Sequence, residues 1–230
     1  MSRRAGGRPG RRTAPLSLLL PALVTVALLL LPLAYLVLRA GSSGRGWRVL
    51  ARTNTLELLW STGLLVASVT AASVAIGVPL AWLVTRTDLP GRRLWAVAGA
   101  LPLVIPSYVA AFCLLGAFGP RGLLQQLLGV ERLPEIYGFW GALVALTLST
   151  YPYVFLLVAT ALRGLDPALE EAGRGLGQTP AAVFRRVTLP ALRPSIGAGA
   201  LLVALYTLSD FGVVSLMRYD ALTRAIYLQY

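Results

Sequence analysis

Five long apolar runs, separated by short loops that carry arginine, constrain this chain more than anything else in it. They occupy residues 16–38, 56–84, 94–118, 138–162 and 195–217. About 20 apolar residues in helical form cross the hydrocarbon core of a bilayer. The expected fold is therefore all-α, a polytopic transmembrane helix bundle of about five spans. Composition adds one point: only 13% of the residues are charged, where a soluble domain carries about 25%. Residues 1–15, rich in Arg and Gly, are expected to be disordered, which leaves 16–230 as the membrane domain. A secretory signal peptide is the rival reading of the first run. Its apolar stretch exceeds the roughly 7–15 residues of a signal core, so a span is adopted.

The net charge of +12 comes from arginine alone, because the 21 basic residues include no lysine and the chain has no histidine. These arginines sit in the loops between apolar runs, which is how orientation is written in a membrane protein. A contiguous nucleic-acid surface is not expected from them. With the N-terminus inside, the inner side holds Arg3, Arg4, Arg8, Arg11 and Arg12, then Arg86, Arg92 and Arg93, then Arg163, Arg174, Arg185, Arg186 and Arg193. The outer side holds fewer: Arg39, Arg45, Arg48, Arg52, Arg121, Arg132, Arg218 and Arg224. The N-terminus is therefore expected in the cytoplasm. Cys113 is the single cysteine. One cysteine and no histidine leave no disulfide framework and none of the usual zinc, haem or iron–sulfur sites, and no cofactor is expected.

One stretch, residues 163–194, interrupts the apolar pattern with charge and turn signals. Asp166 and Pro167 form a helix start, with an acid at the cap and proline in the first helical position. Glu170 and Glu171 follow where the helix dipole favours negative charge. Gly173, Gly175 and Gly177 weaken that helix, and Gly177 is the expected left-handed stop. Thr179 and Pro180 repeat the start signal. The second helix carries Ala181, Ala182, Val183, Phe184, Arg185 and Arg186, and is expected to end before Pro190. Two short helices joined at a glycine elbow thus lie between two spans, on the cytoplasmic side.

The spacing Glu171-Ala172-Gly173, three residues, Gly177, nine residues, Val187, one residue, Leu189-Pro190 resembles the cytoplasmic loop of bacterial ABC-importer permeases. Gly173 stands where that family has alanine, and Val187 where it has isoleucine. The resemblance implies that this loop docks into a groove on an ATPase subunit. It assigns the coupling contacts to Glu170, Glu171, Ala172, Gly173, Gly177, Phe184, Val187, Leu189 and Pro190. Glu171 is expected to anchor the first loop helix, and Phe184 to bury its ring against that helix or the partner. Further matches cover the chain from about the second run onward: L-P-L-V-I-P-S-Y at 101–108, G-P-R-G-L-L at 119–124, S-D-F-G-V-V-S-L at 209–216 and R-A-I-Y at 224–227. These resemble the ferric iron group of such permeases and imply iron as the solute. Thiamine, polyamine and other small-solute permeases share the loop and form the alternative class.

The resemblance also implies partners: a cytoplasmic ABC ATPase dimer, an extracytoplasmic solute-binding protein and a second permease half. It places the chain in the bacterial plasma membrane as a multi-pass protein. Members carry a sixth span per half, so the chain is expected to continue beyond Tyr230. No phosphate-binding glycine loop, catalytic triad or clustered carboxylates occur, so ATP hydrolysis is expected from a separate subunit. A non-transport membrane scaffold is the competing class, and a membrane enzyme is disfavoured by the missing His, Lys and clustered acids.

Inside the runs, a few residues are candidates for the solute pathway. Asp210 lies two-thirds along the fifth run, where an ionisable group is costly and needs protein or water around it. Pathway residue, partner of Arg218 and cap of a helix break at Gly212 are three open readings. Asp210-Phe211-Gly212 also spells a kinase metal-binding tripeptide, but no lysine exists to pair a phosphate. Pro102 and Pro106, four apart and followed by Tyr108, signal either a broken pathway-lining helix or a packing kink. Tyr151 and Tyr153, on either side of Pro152, are pathway or interface residues.

Overall fold

A computed structural model describes residues 16–42, 53–119, 122–129 and 136–228. All regular elements among the described residues are helical. In chain order they are α1 (Leu16–Ser42), α2 (Thr53–Arg86), α3 (Arg92–Ala100), a 3-10 turn (Leu101–Val104), α4 (Ser107–Phe118), α5 (Leu123–Leu128), α6 (Phe139–Gly164), α7 (Pro167–Gly175) and α8 (Pro180–Val183). A π-helical turn (Phe184–Thr188), α9 (Leu189–Ser209), α10 (Gly212–Leu216) and α11 (Leu222–Leu228) complete the set. The expected disordered segment 1–15 lies outside the described residues. The chain divides into two units, Met1–Thr55 and Leu56–Tyr230. The first contains α1, whose described side chains from Leu20 onward are exposed.

In the second unit four helical stretches are long and apolar enough to cross a membrane: Thr55–Arg86, Ser107–Leu127, Phe139–Gly164 and Pro180–Ser209. The third of these, α6, is the central one. Of its most apolar window 61% is buried, against 33%, 25% and 22% for the others. The sequence explains why it can be surrounded. Ala142, Ala145, Ser149, Thr150 and Ala159 are small and buried, and small residues let backbones approach when no water drives association. Glycines on the neighbours complete the fit. A Cβ at Gly77 of α2 would meet the Val154 Cβ at 3.0 Å, and one at Gly199 of α9 would meet the Val154 Cα at 2.9 Å. Both helices therefore lie against one turn of α6. A hydroxyl pair adds polar glue: Ser73 and Thr150 lie 3.1 Å apart, and Thr150 itself donates to the Leu146 carbonyl. Ser73 is accordingly the donor, tying α2 to α6.

Two expected spans are not continuous. The run 94–118 folds as α3, the 3-10 turn and α4, because Ile105 is extended (φ −88°, ψ 121°) and Pro106 precedes α4. Proline pushes its predecessor out of the helical region, so this is a full break rather than a kink. The run 195–217 breaks at Asp210, which is extended (φ −69°, ψ 127°) between α9 and α10.

The second loop helix also departs from expectation, since it does not end before Pro190. The π-helical turn leads from α8 directly into α9, and the Leu189 N–H reaches back to the Phe184 carbonyl. That i→i−5 bond widens the helix by one residue. Pro190 follows that bond directly, and the widened turn accommodates its ring and its missing N–H.

Candidate functional site

The loop between α6 and α9 is held by local chemistry at each turn. The Asp166 carboxylate accepts the Ala168 N–H at 3.0 Å and Pro167 opens α7, as the start signal requires. At the other end the Gly177 N–H donates to the Arg174 carbonyl (2.9 Å), and the Gln178 N–H to the Gly173 carbonyl (3.2 Å). This pair of bonds is a Schellman stop, and it needs the left-handed residue that Gly177 supplies at φ +77°. Thr179 then caps α8 through the Ala182 N–H at 3.3 Å. The elbow is closed by Val183, which packs over the buried Gly173. A Cβ at position 173 would stand 3.1 Å from a Val183 methyl, so alanine there would press on that side chain.

The two glutamates part company. Glu171 is exposed and Glu170 is buried at 6% exposure. It is Glu170 that fastens α7. Its Oε1 accepts the Thr188 hydroxyl at 2.9 Å, and the Arg86 Nε lies 3.4 Å from the same oxygen, an ion-pair contact. Arg86 also donates from Nη2 to the Leu165 carbonyl at 2.9 Å. Arginine reaches both because its planar fork presents several fixed donors. Glu171, expected to anchor the helix, instead faces outward along with Ala172 and Leu176. Phe184 packs edge-on against Trp82 of α2, with ring centroids 5.9 Å apart. Val187, Leu189 and Pro190 are half-buried where the π turn enters α9.

Sequence reasoning missed Arg86, Trp82, Val183 and Thr188. Arg86 carried a signal, as a charge at the end of a span, but that signal reads as topology. Its pairing with Glu170 reaches across everything from α3 to α6, and no local pattern encodes it.

A second polar cluster joins the two broken runs. The Asp210 carboxylate is nearly buried, at 9% exposure. It accepts the Ser107 hydroxyl on Oδ2 at 2.7 Å and the Val213 N–H on Oδ1 at 2.8 Å. Its own carbonyl accepts the Thr223 hydroxyl at 3.0 Å. Asp210 thus caps α10 and meets the start of α4. Of the three open readings the structure favours the cap, and Arg218 instead stacks over Tyr137 at 4.9 Å. The breaks lie close together, because a Cβ at Gly212 would meet the Tyr108 Cβ at 2.9 Å. Tyr108 is 56% exposed. Tyr151 is buried in α6, and Tyr153 pairs with Tyr206 of α9 at 6.0 Å. The structure therefore brings Pro106, Tyr108 and Asp210 to one region, places Pro102 in the 3-10 turn and leaves Tyr151 in the core. Among the described residues no group of three or more His, Cys, Asp or Glu side chains could hold a metal ion.

Comparison with known proteins gives four findings. Residues 73–227 match the family described as the binding-protein-dependent transport system inner membrane component. An Fe(3+)-transport system permease protein of Haemophilus influenzae is 35% identical over 204 residues, covering 88% of this chain; the chain spans 37% of the length of that relative. A sulfate transport system permease protein of Salmonella typhimurium is 32% identical over 209 residues, covering 89% of this chain and 76% of the relative. Among solved structures, a bacterial ABC transporter involved in alginate import superposes with a TM-score of 0.67, covering 92% of this chain and 82% of that one. At 16% identity that likeness shows the fold alone.

Proposed function

We propose, for a chain that belongs to the binding-protein-dependent transport system inner membrane components, that it is the membrane-spanning permease subunit of a bacterial ABC importer and that its solute is ferric iron. The family is one of transport components rather than enzymes. The observation that carries the reading is the form of the loop. Its outer face presents Glu171, Ala172 and Leu176, while its second helix runs unbroken into α9. A surface that receives an ATPase is thereby joined rigidly to a span. ATP hydrolysis belongs to a separate cytoplasmic ATPase dimer, and the solute arrives on an extracytoplasmic binding protein. A second permease half completes the pathway. The protein sits in the bacterial plasma membrane with its N-terminus in the cytoplasm.

Iron is supported by charge. Apart from Glu57 at the start of its run, Asp210 is the only acidic or basic side chain within the five apolar runs. A carboxylate attracts a cation and repels an oxyanion, most strongly where water is scarce. Sulfate is the second reading, because the sulfate relative is matched over most of its own length. The test uses proteoliposomes holding the full-length permease with the ATPase and carrier that co-purify with it. ATP-dependent accumulation of radiolabelled ferric iron, absent without carrier, is expected. Accumulation of sulfate in place of iron overturns the solute assignment, and accumulation of no solute by the complete complex overturns the transport reading.

A further inference from the structure

The permease reading gives the loop a partner and a connection to α9, yet the loop touches a second span through a side chain outside the loop. Arg86 is the last residue of α2. Its guanidinium meets the Leu165 carbonyl just before α7 and the Glu170 carboxylate within α7. Glu170 in turn takes the hydroxyl of Thr188, the last residue of the π turn before α9. One buried carboxylate therefore ties α2, α7 and the root of α9 together. Both charged side chains are largely shielded, at 14% and 8% exposure. An ion pair so enclosed is little screened by salt, and a partner removed leaves a buried charge with nothing to face. The outward Glu171 lines the same cleft of about 240 Å³ as Arg86 and Glu170. The surface offered to the ATPase is thus one residue from the tie. Trp82 against Phe184, one turn earlier on α2, fastens α2 to the π turn with an apolar contact.

We propose that Arg86 is a positioning residue which, through Glu170 and Thr188, makes α2 and α9 move together when the loop is displaced. The inference rests on the coupling reading. Without the tie, displacement of the loop reaches α9 alone through the π turn, and α2 is left behind. Opening of the pathway then falls out of step with ATP turnover, although the docking face is intact.

The experiment compares wild type, Arg86→Ala, Glu170→Gln, Thr188→Val and the exchanged pair Arg86→Glu with Glu170→Arg. Each is prepared as the full-length permease with its ATPase and carrier. Solute accumulated, ATP hydrolysed and ATPase recovered are measured per inserted permease. Arg86→Ala is expected to keep ATPase recovery and carrier-stimulated hydrolysis near wild type, while solute moved per ATP falls about tenfold in both Arg86→Ala and Glu170→Gln. Thr188→Val, which spares the charges, is expected to fall less, and the exchanged pair to recover part of the loss. A ratio unchanged in Arg86→Ala and Glu170→Gln overturns the proposal. So does a fall in ATPase recovery that accounts for all lost uptake, since that marks a role in shaping the docking face only. A wild-type complex that accumulates no solute overturns the transport reading itself, and is told apart by the wild-type lane alone.

Discussion

Asp210 shows how one residue can satisfy a structural need and still leave its charge open to function. Its two carboxylate oxygens hold the Ser107 hydroxyl and the Val213 N–H. Asparagine can keep a side-chain oxygen on the Val213 N–H, since Asn and Asp cap about equally well. Alanine removes the cap and strands the buried hydroxyl, a combined loss of about 2 kcal/mol. Asp210→Asn is therefore expected to insert at the wild-type level, with iron uptake per inserted permease reduced at least about tenfold. Asp210→Ala is expected to lower the amount of folded protein as well. Wild-type iron uptake by Asp210→Asn would make the residue a cap and nothing more. The sequence made Asp210 visible through its rarity in an apolar run, but it could not choose among three readings. Ser107 lies 103 residues away, and only the tertiary fold brings it near. The contrast between Glu170 and Glu171 was hidden for a similar reason. Two adjacent acids on one helix look alike until the position of Arg86 decides which of them turns inward.

At the scale of elements, the loop was legible wherever its chemistry is local. Asp166, Gly177 and Thr179 act within about five residues of themselves, and all three sit where the cap and stop rules put them. The passage through Pro190 was not legible. A proline in sequence reads as a stop, and only a π turn just upstream lets the helix carry on past it. The break at Pro106 was visible as a choice between kink and gap, which the extended Ile105 settles. Gly177 gives this scale its prediction. Its added Cβ would meet nothing within 4 Å, so the cost of a side chain is the left-handed backbone itself, roughly 1–2 kcal/mol. Gly177→Val is expected to loosen the elbow, seen as faster amide exchange across residues 173–183, and to weaken ATPase recovery. Glu171→Ala, on the exposed face, is expected to weaken recovery with amide exchange unchanged. Normal ATPase recovery in both variants would remove the loop's docking role. Carrier binding from the outside is expected to stay at the wild-type level in each.

At the scale of the whole molecule, the unit Leu56–Tyr230 is a bundle whose spans can be read from hydropathy and whose packing cannot. Four of the long apolar stretches are there as helices, but nothing in their composition marks α6 as the centre. Its small residues and the facing Gly77 and Gly199 do that, and their meaning depends on which helices touch. Orientation is a property of the same scale. With Cys113 replaced by alanine, a cysteine at Leu176 is expected to react with an impermeant maleimide only after the cells are opened. A cysteine at Leu127, beyond the next turn-around of the chain, is expected to react in intact cells. Labelling of Leu176→Cys from outside would invert the topology and remove the loop from the side where ATP is found. The bond between Ser107 and Asp210 sets an order of events during biosynthesis. A ribosome adding about 5–20 residues per second delivers Asp210 roughly 5–20 s after Ser107. For that interval the start of α4 lacks the carboxylate to which its first residue donates. The later-made carboxylate meets both breaks at once, so neither break is closed until the second of them has been synthesised.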